Sequence, residues 1–585
     1  MRRFIVGLLA TVGALTLLGI VAAAVLLAQG PFSSKTLPGS MVVALDLRRL
    51  PPESTSSGVL GGWWRDSQNI VEATQALWQA ADDPRVIGLY VEIGDEDGGL
   101  ARVQELRQAI QRFRSKGKFT VGFAESLGSG GDHFADYYLA TALDHLWLQP
   151  SGGFGVAGLA VETPFLKSGL DRLGIRVEGG KRYEYKSAPD TFTQSDMTGP
   201  ARENLQQLID GLYGQFVEDS ARDRHMAVTK LRQLIDAAPF DSERARAEGL
   251  VDKVGYRADA MDDVWQRAGS TRDLVTLSDY ADGRQRSNSR RDVVALVRVS
   301  GGIVSGTGDD RPLSNDLQAA SDDIVDALDA ASQSKEVKAI VLRIDSPGGT
   351  YPASDAIADG VGRARAAGKP VIVSMGDVAA SGGYLAAVRA DVIVAEPTTI
   401  TGSIGVFGMW PVATDLLTTL GIKVDRLKVG ANAGMYSSFH VPTTAQQAAI
   451  GRELDTVYAD FTRQVGEARK LDATRLDSAA RGRVFTGIEA KRAGLVDELG
   501  GLDVALKVAK TKAGIDESKP IDLRPFPGES SPLQRIAGRL LRLADMATTG
   551  PEVRAPRELR DLMAKFGIAA HPGNVRLPPL PPLWR

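Results

Sequence analysis

The chain has 585 residues, of which 69 are basic and 72 acidic, for a net charge of −3, and it contains no cysteine. That length allows three or more domains at roughly 100–200 residues each. The balanced charge leaves no electrostatic footprint for nucleic acid, and the missing cysteines exclude disulfides, thiolate metal sites and a cysteine nucleophile.

The first informative stretch is 4–28, FIVGLLATVGALTLLGIVAAAVLLA, which carries no charge. About 20 apolar residues suffice for a membrane-spanning helix, and the run outlasts the roughly 7–15-residue apolar core of a cleavable signal peptide. We read it as a retained transmembrane anchor, with cleavage near its end as the alternative. Arg2 and Arg3 precede the span, which places the N-terminus in the cytoplasm and the body outside it.

The rest of the chain is duplicated. VVAL occurs at 42–45 and again at 293–296, 251 residues on; VIGLYV at 86–91 matches VKAIVL at 337–342, and GKFTVGF at 117–123 matches GKPVIVS at 368–374, at the same offset. LDHLWLQP (143–150) matches ADVIVAEP (390–397), and LGIRV (173–177) matches LGIKV (420–424), both at 247; GLVD recurs at 249–252 and 494–497, at 245. Matches in the same order at slowly drifting offsets mark a tandem repeat. The expected organisation is a stub and anchor over 1–40, a first repeat over 41–280, a linker over 281–291, a second repeat over 292–515 and a tail over 516–585. Each repeat alternates short apolar runs with helix-like segments such as 102–116 and 353–367, which argues for an α/β architecture. In the tail, 533–547 reads as amphipathic and the end, LPPLPPLWR, is proline-rich.

Where the repeats differ, one copy has room to specialise. Ser381 lies in VAASGGYLAA, between the strand-like VIVS and a helix-like run, and it aligns with Phe134 of the first repeat. A serine there is either an N-cap or a nucleophile seated beside glycine N–H groups. DSPGGT at 345–350, with Gly348, faces the unlike GDEDGGL, and Ser403 in TGSIGVFG aligns with Val156. In the opposite sense, Lys186 in YEYKSA aligns with Ala433. A serine hydroxyl needs a base, and the five histidines (His133, His145, His225, His440, His571) stand in no ligand or triad pattern. Neither a metal nor a cofactor is therefore expected. A lysine serves as the base when its pKa is lowered from about 10.4 by desolvation or nearby positive charge. The N–H groups of Gly382 and of the turn at Gly348 are candidates for an oxyanion hole. The plain alternatives are a surface lysine at 186 and a turn serine at 403, and Ser129 in LGSGGDH is a rival nucleophile that four extra residues carry off the turn.

Together, DSPGG, AASGGY, TGSIGVFG and YKSA in a duplicated, anchored chain resemble the long bacterial type of signal peptide peptidase A, the protease IV family, over about residues 41–520. The resemblance implies two tandem Clp protease/crotonase-like domains and a serine endopeptidase that degrades cleaved signal peptides. It implies Ser381 as nucleophile, Lys186 as general base, Ser403 as the residue that orients the lysine, and Gly348 and Gly382 as oxyanion donors. It further implies a bowl-like homotetramer in the bacterial inner membrane, its body periplasmic, taking in extended peptides that add a strand near the P-G-G turn. The competing readings are a catalytically silent membrane scaffold and a crotonase-like acyl-CoA enzyme.

Overall fold

The computed structural model describes residues 37–54, 68–94, 99–128, 134–284, 291–308 and 318–527. The anchor at 4–28, Ser129 and the tail from 528 lie outside the described residues. Among the described residues no helix is long and apolar enough to cross a membrane.

The duplication is visible in strand order. In the first unit Lys253–Val254, His145–Leu148, Phe119–Ala124, Val86–Ile93, Met41–Leu47 and Leu274–Thr276 lie side by side, all parallel. In the second, Glu498–Leu499, Val392–Ala395, Val371–Ala380, Val337–Ser346, Asp292–Ser300 and Ile521–Phe526 repeat that order, again all parallel. Parallel strands are covered on both faces, so they read as near-continuous apolar runs; VKAIVLRIDS is one, with only Lys338 exposed. The helices expected at 102–116 and 353–367 run over Leu100–Ser115 and Tyr351–Ala366.

Two boundaries move. Strand Ile521–Phe526, assigned to the tail by sequence, pairs with Asp292–Ser300 and closes the second sheet as Leu274–Thr276 closes the first. IDLRPF alternates weakly and carries a proline, so nothing local marks it; its place is set by the strand beside it. Helix Leu277–Gly283 likewise runs into the expected linker.

The units share a core instead of hanging on the linker. Val294, Leu296, Val341, Ile372 and Val394 of the second sheet pack in one cluster with Leu106, Ile110 and Phe113 of the first unit. Among these apolar residues sits Arg343, fully buried, whose five N–H groups all find acceptors: Glu53 at 2.6 and 3.0 Å, Glu105 at 2.6 and 2.9 Å, and Ser374 at 2.9 Å. Both carboxylates come from the first unit. A third link is a cap supplied from across the boundary: helix Leu100–Ser115 starts at Gly99, which has no capping side chain, and Asp377 accepts the Arg102 N–H at 3.0 Å while pairing with the Arg102 guanidinium. An acceptor at a helix start satisfies one of its orphan donors.

Candidate active site

Strands Val337–Ser346 and Val371–Ala380 are parallel neighbours, so their C-terminal ends open on the same edge of the sheet. One ends in the P-G-G turn and the other in Ser381. The strand leading to Ser381 bulges just before that end, because Ile344 pairs with Met375 but Ser346 pairs with Ala379. The extra residues sharpen the turn.

Ser381 stands at the N-cap position of helix Gly382–Ala387 but caps nothing: its side chain accepts no bond from the helix start. Its backbone takes φ 54° and ψ −118°, a region that residues with a Cβ seldom enter. Two bonds hold it there, Ser381 N–H to Gly402 O at 2.9 Å and Leu385 N–H to Ser381 O at 3.0 Å. The hydroxyl stands 3.0 Å from Lys186 Nζ.

Lys186 arrives from the other unit. Strand Arg176–Arg182 pairs antiparallel with Val406–Val412 of the second unit, from Arg176 opposite Val412 to Arg182 opposite Val406. This ribbon carries the following loop, 183–187, over the end of the second sheet. The lysine is 3 % exposed, and burial alone pushes its pKa down to about 7. An ammonium stripped of water with no carboxylate beside it loses its proton readily. Nζ lies 2.9 Å from Ser403 O and 2.9 Å from Ser403 Oγ. A neutral amine has two hydrogens and one lone pair. Giving both hydrogens to Ser403 leaves the lone pair for the Ser381 hydroxyl.

Ser403 follows strand Ile400–Gly402 with φ 52°, and its N–H donates to Arg483 O at 2.7 Å. Gly348 has φ 102°, and a Cβ there would stand 2.6 Å from Gly382 N. The P-G-G turn and the start of the Ser381 helix are therefore in backbone contact that no side chain allows. Gly348 N–H is not free, however; it donates to Ser346 Oγ at 3.1 Å, while Ser346 in turn donates to Gly301 O at 2.6 Å. The turn edge expected to take a substrate strand is also occupied: Ile303 N–H donates to Gly348 O at 2.9 Å and Thr350 N–H to Ile303 O at 3.0 Å.

All five expected residues thus meet at one edge of the second unit. Among the described residues the first unit has no counterpart: Phe134 holds the Ser381 position ahead of helix Ala135–Ala140, 4 % exposed, with its ring 4.4 Å from that of Phe216. Sequence reasoning missed Ser346 and the turn Arg481-Gly482-Arg483 beneath Lys186. Comparing the repeats at the 245 offset finds the turn, because Asp236, Ala237 and Ala238 stand opposite it. Among the described residues there is no acidic or histidine cluster fit to hold a metal.

A family model described as Peptidase family S49 matches this chain twice, over residues 114–270 and 363–516. Serine protease SPPA, chloroplastic, of Arabidopsis thaliana is 30% identical over 477 residues, covering 80% of this chain and 69% of that protein. Protease 4 of Haemophilus influenzae is 31% identical, covering 74% and 71%, and Protease 4 of Salmonella typhi 29% identical, covering 77% and 73%. A solved structure, that of a ClpP1 mutant from Listeria monocytogenes, matches 35% of this chain and 91% of its own at 18% identity and a TM-score of 0.23, too low to carry an argument.

Proposed function

The chain belongs to peptidase family S49 and is a serine protease of the Protease 4 type, and on that premise we propose that it cuts peptides with a Ser381–Lys186 dyad through an acyl-enzyme. Membership sets aside the acyl-CoA enzyme and the silent scaffold. The observation that carries the dyad is the 3.0 Å contact between Ser381 Oγ and a buried lysine amine from the other repeat.

In the proposed cycle the neutral Lys186 amine takes the Ser381 proton as Oγ bonds to the scissile carbonyl carbon. The carbonyl oxygen, now an oxyanion, is held by Gly382 N–H, joined by Gly348 N–H as it leaves Ser346 Oγ. Lys186 passes its proton to the departing amine, and the C–N bond breaks. A water then gives a proton to Lys186 and attacks the ester carbonyl carbon; as the ester C–O bond breaks, Lys186 returns that proton to Ser381 Oγ, which frees the acid and restores both the serine hydroxyl and the neutral amine. Ser403 positions the amine through both of its oxygens.

The proposed substrates are cleaved signal peptides and other extended apolar peptides, and the proposed location is the bacterial inner membrane, with residues 4–28 as anchor and the body periplasmic. We further propose a homo-oligomer, a tetramer by the resemblance. Its support is the repeat itself. Residues 176–182 of the first unit pair with 406–412 of the second, whereas their counterparts 423–429 and 159–165 have no strand partner among the described residues, and Leu427 and Val429 are 101 % and 97 % exposed. Pairing 423–429 of one copy with 159–165 of the next would reproduce the contact head to tail, which builds a ring where the rotation between copies closes.

The test is hydrolysis of a synthetic signal peptide by the detergent-solubilised protein beside Ser381→Ala and Lys186→Ala. Loss of cleavage in both supports the dyad, and retention in either removes it.

A further inference from the structure

The loop that carries Lys186 is gripped from below by the turn Arg481-Gly482-Arg483. Gly482 has φ 84°, and a Cβ there would stand 2.6 Å from both Cα and Cβ of Lys186. Glycine is what lets the two backbones come this close. Gly482 N–H is itself tied to Ile404 O at 2.8 Å, so the turn has little freedom to retreat.

The arginines on either side hold the residues ahead of the lysine. Arg481 gives Nε and Nη2 to the Glu184 carboxylate at 2.9 and 3.0 Å, and its guanidinium lies 4.8 Å from the centre of the Tyr183 ring. The Tyr458 ring packs on Tyr183 from another side at 4.8 Å, and its hydroxyl accepts Arg481 N–H at 3.2 Å. Arg483 lies 3.8 Å over the Tyr185 ring and reaches Glu203 at 3.2 Å. The carbonyl of the same Arg483 accepts Ser403 N–H at 2.7 Å. Three consecutive residues therefore touch the backbone of Lys186, the three residues before it, and the serine that receives its amine.

We propose that the Arg481-Gly482-Arg483 turn positions Lys186 as the general base, setting both its reach to Ser381 and its burial. The proposal rests on the dyad reading. The contacts of these three residues toward the site go to the lysine loop and Ser403, and the Ser381 hydroxyl is met by Lys186 Nζ; they act through the lysine, which makes them positioning residues. The first repeat, whose site is filled by Phe134, has Asp236, Ala237 and Ala238 at this place, and neither an arginine clamp nor a glycine remains.

The experiment measures kcat and KM for the synthetic signal peptide across pH with the detergent-solubilised full chain, for the parent, Gly482→Ala, Arg481→Ala and Arg481→Lys, beside Lys186→Ala. A methyl at 482 displaces the lysine backbone by the order of an ångström, which lowers kcat about 10²-fold and leaves KM within about twofold. Because the displaced lysine is less buried, the rising limb of the pH profile moves to higher pH. Arg481→Ala shows the same pattern more weakly, and Arg481→Lys recovers part of it. A Gly482→Ala protein whose limb stays in the parent position overturns the proposal, whether or not its kcat and unfolding midpoint fall. If Lys186→Ala still cleaves, the dyad itself fails and the clamp with it. If the dyad stands and Gly482→Ala matches the parent, the clamp alone fails.

Discussion

The buried lysine makes the pH dependence of hydrolysis the sharpest consequence of the site. Taking Lys186 from 10.5 to about 7 by burial corresponds to about 5 kcal/mol of lost hydration of the ammonium. At its ordinary value about one lysine in 3,000 would be neutral at pH 7, whereas here about half are. With Lys186 as the proposed base the neutral amine is the active form, so kcat/KM should rise as pH rises. Below pH 7 it should fall about tenfold per unit, to about 1 % of the plateau at pH 5, and it should level off above about pH 8. The assay is initial-rate hydrolysis of a synthetic signal peptide at substrate well under KM, in buffers of matched ionic strength. A profile that is flat from about pH 5 to 8, or one still climbing steeply at about pH 10, refutes the reasoning: the first removes the lysine as base, and the second removes its burial in the working protein.

The same burial weakens the fold. The folded-state pKa lies below the unfolded one, so between about 7 and 10.5 the unfolded chain holds a proton that the folded chain has shed. The stability this residue allows is complete above about 10.5 and is lost as pH falls toward about 7. Lys186→Met should therefore stabilise the protein at pH 7 by about 2–3 kcal/mol, after the lost bonds to Ser403 are subtracted, and should flatten the dependence above pH 7; a lower unfolding midpoint at pH 7 contradicts this. Gly348→Ala places a Cβ 2.6 Å from Gly382 N and 2.9 Å from Ala380 O at φ 102°. It should abolish hydrolysis and cost more than about 1 kcal/mol, and hydrolysis above about a tenth of the parent rate would show that the contact is not needed. Arg343→Met strands the buried Glu53 and Glu105 carboxylates and should cost about 3–5 kcal/mol in urea unfolding, most of it recovered when both are also changed to glutamine; a single variant as stable as the parent would mean that the link does not hold the units together.

Much of the site was legible because the relevant signals are local or repeated. The glycines beside Ser381 and in the P-G-G turn announce tight backbone. The drifting offsets then say which serine and which lysine lack a counterpart, and those are the residues that meet. What local pattern misjudged was backbone bonding. Gly348 reads as an open donor, yet Ser346, two residues before it, takes that N–H; the P-G-G edge reads as a vacant strand site, yet Ile303 lies on it. The Arg481-Gly482-Arg483 turn carries no local signal of its role, because its chemistry is contact with a loop 297 residues earlier.

By itself, then, the sequence determined the duplication, the α/β class, the absence of thiol chemistry and the identities of serine, lysine and glycines, since each is written in residue type, period or spacing. Only the tertiary structure decided that the serine and lysine form one site. Their side chains belong to different repeats, 195 residues apart, and what joins them is the ribbon between 176–182 and 406–412, the shared core and the Arg343 link. It also decided the direction of the lysine's pKa shift, because burial that excludes water from one amine comes from the whole environment around it.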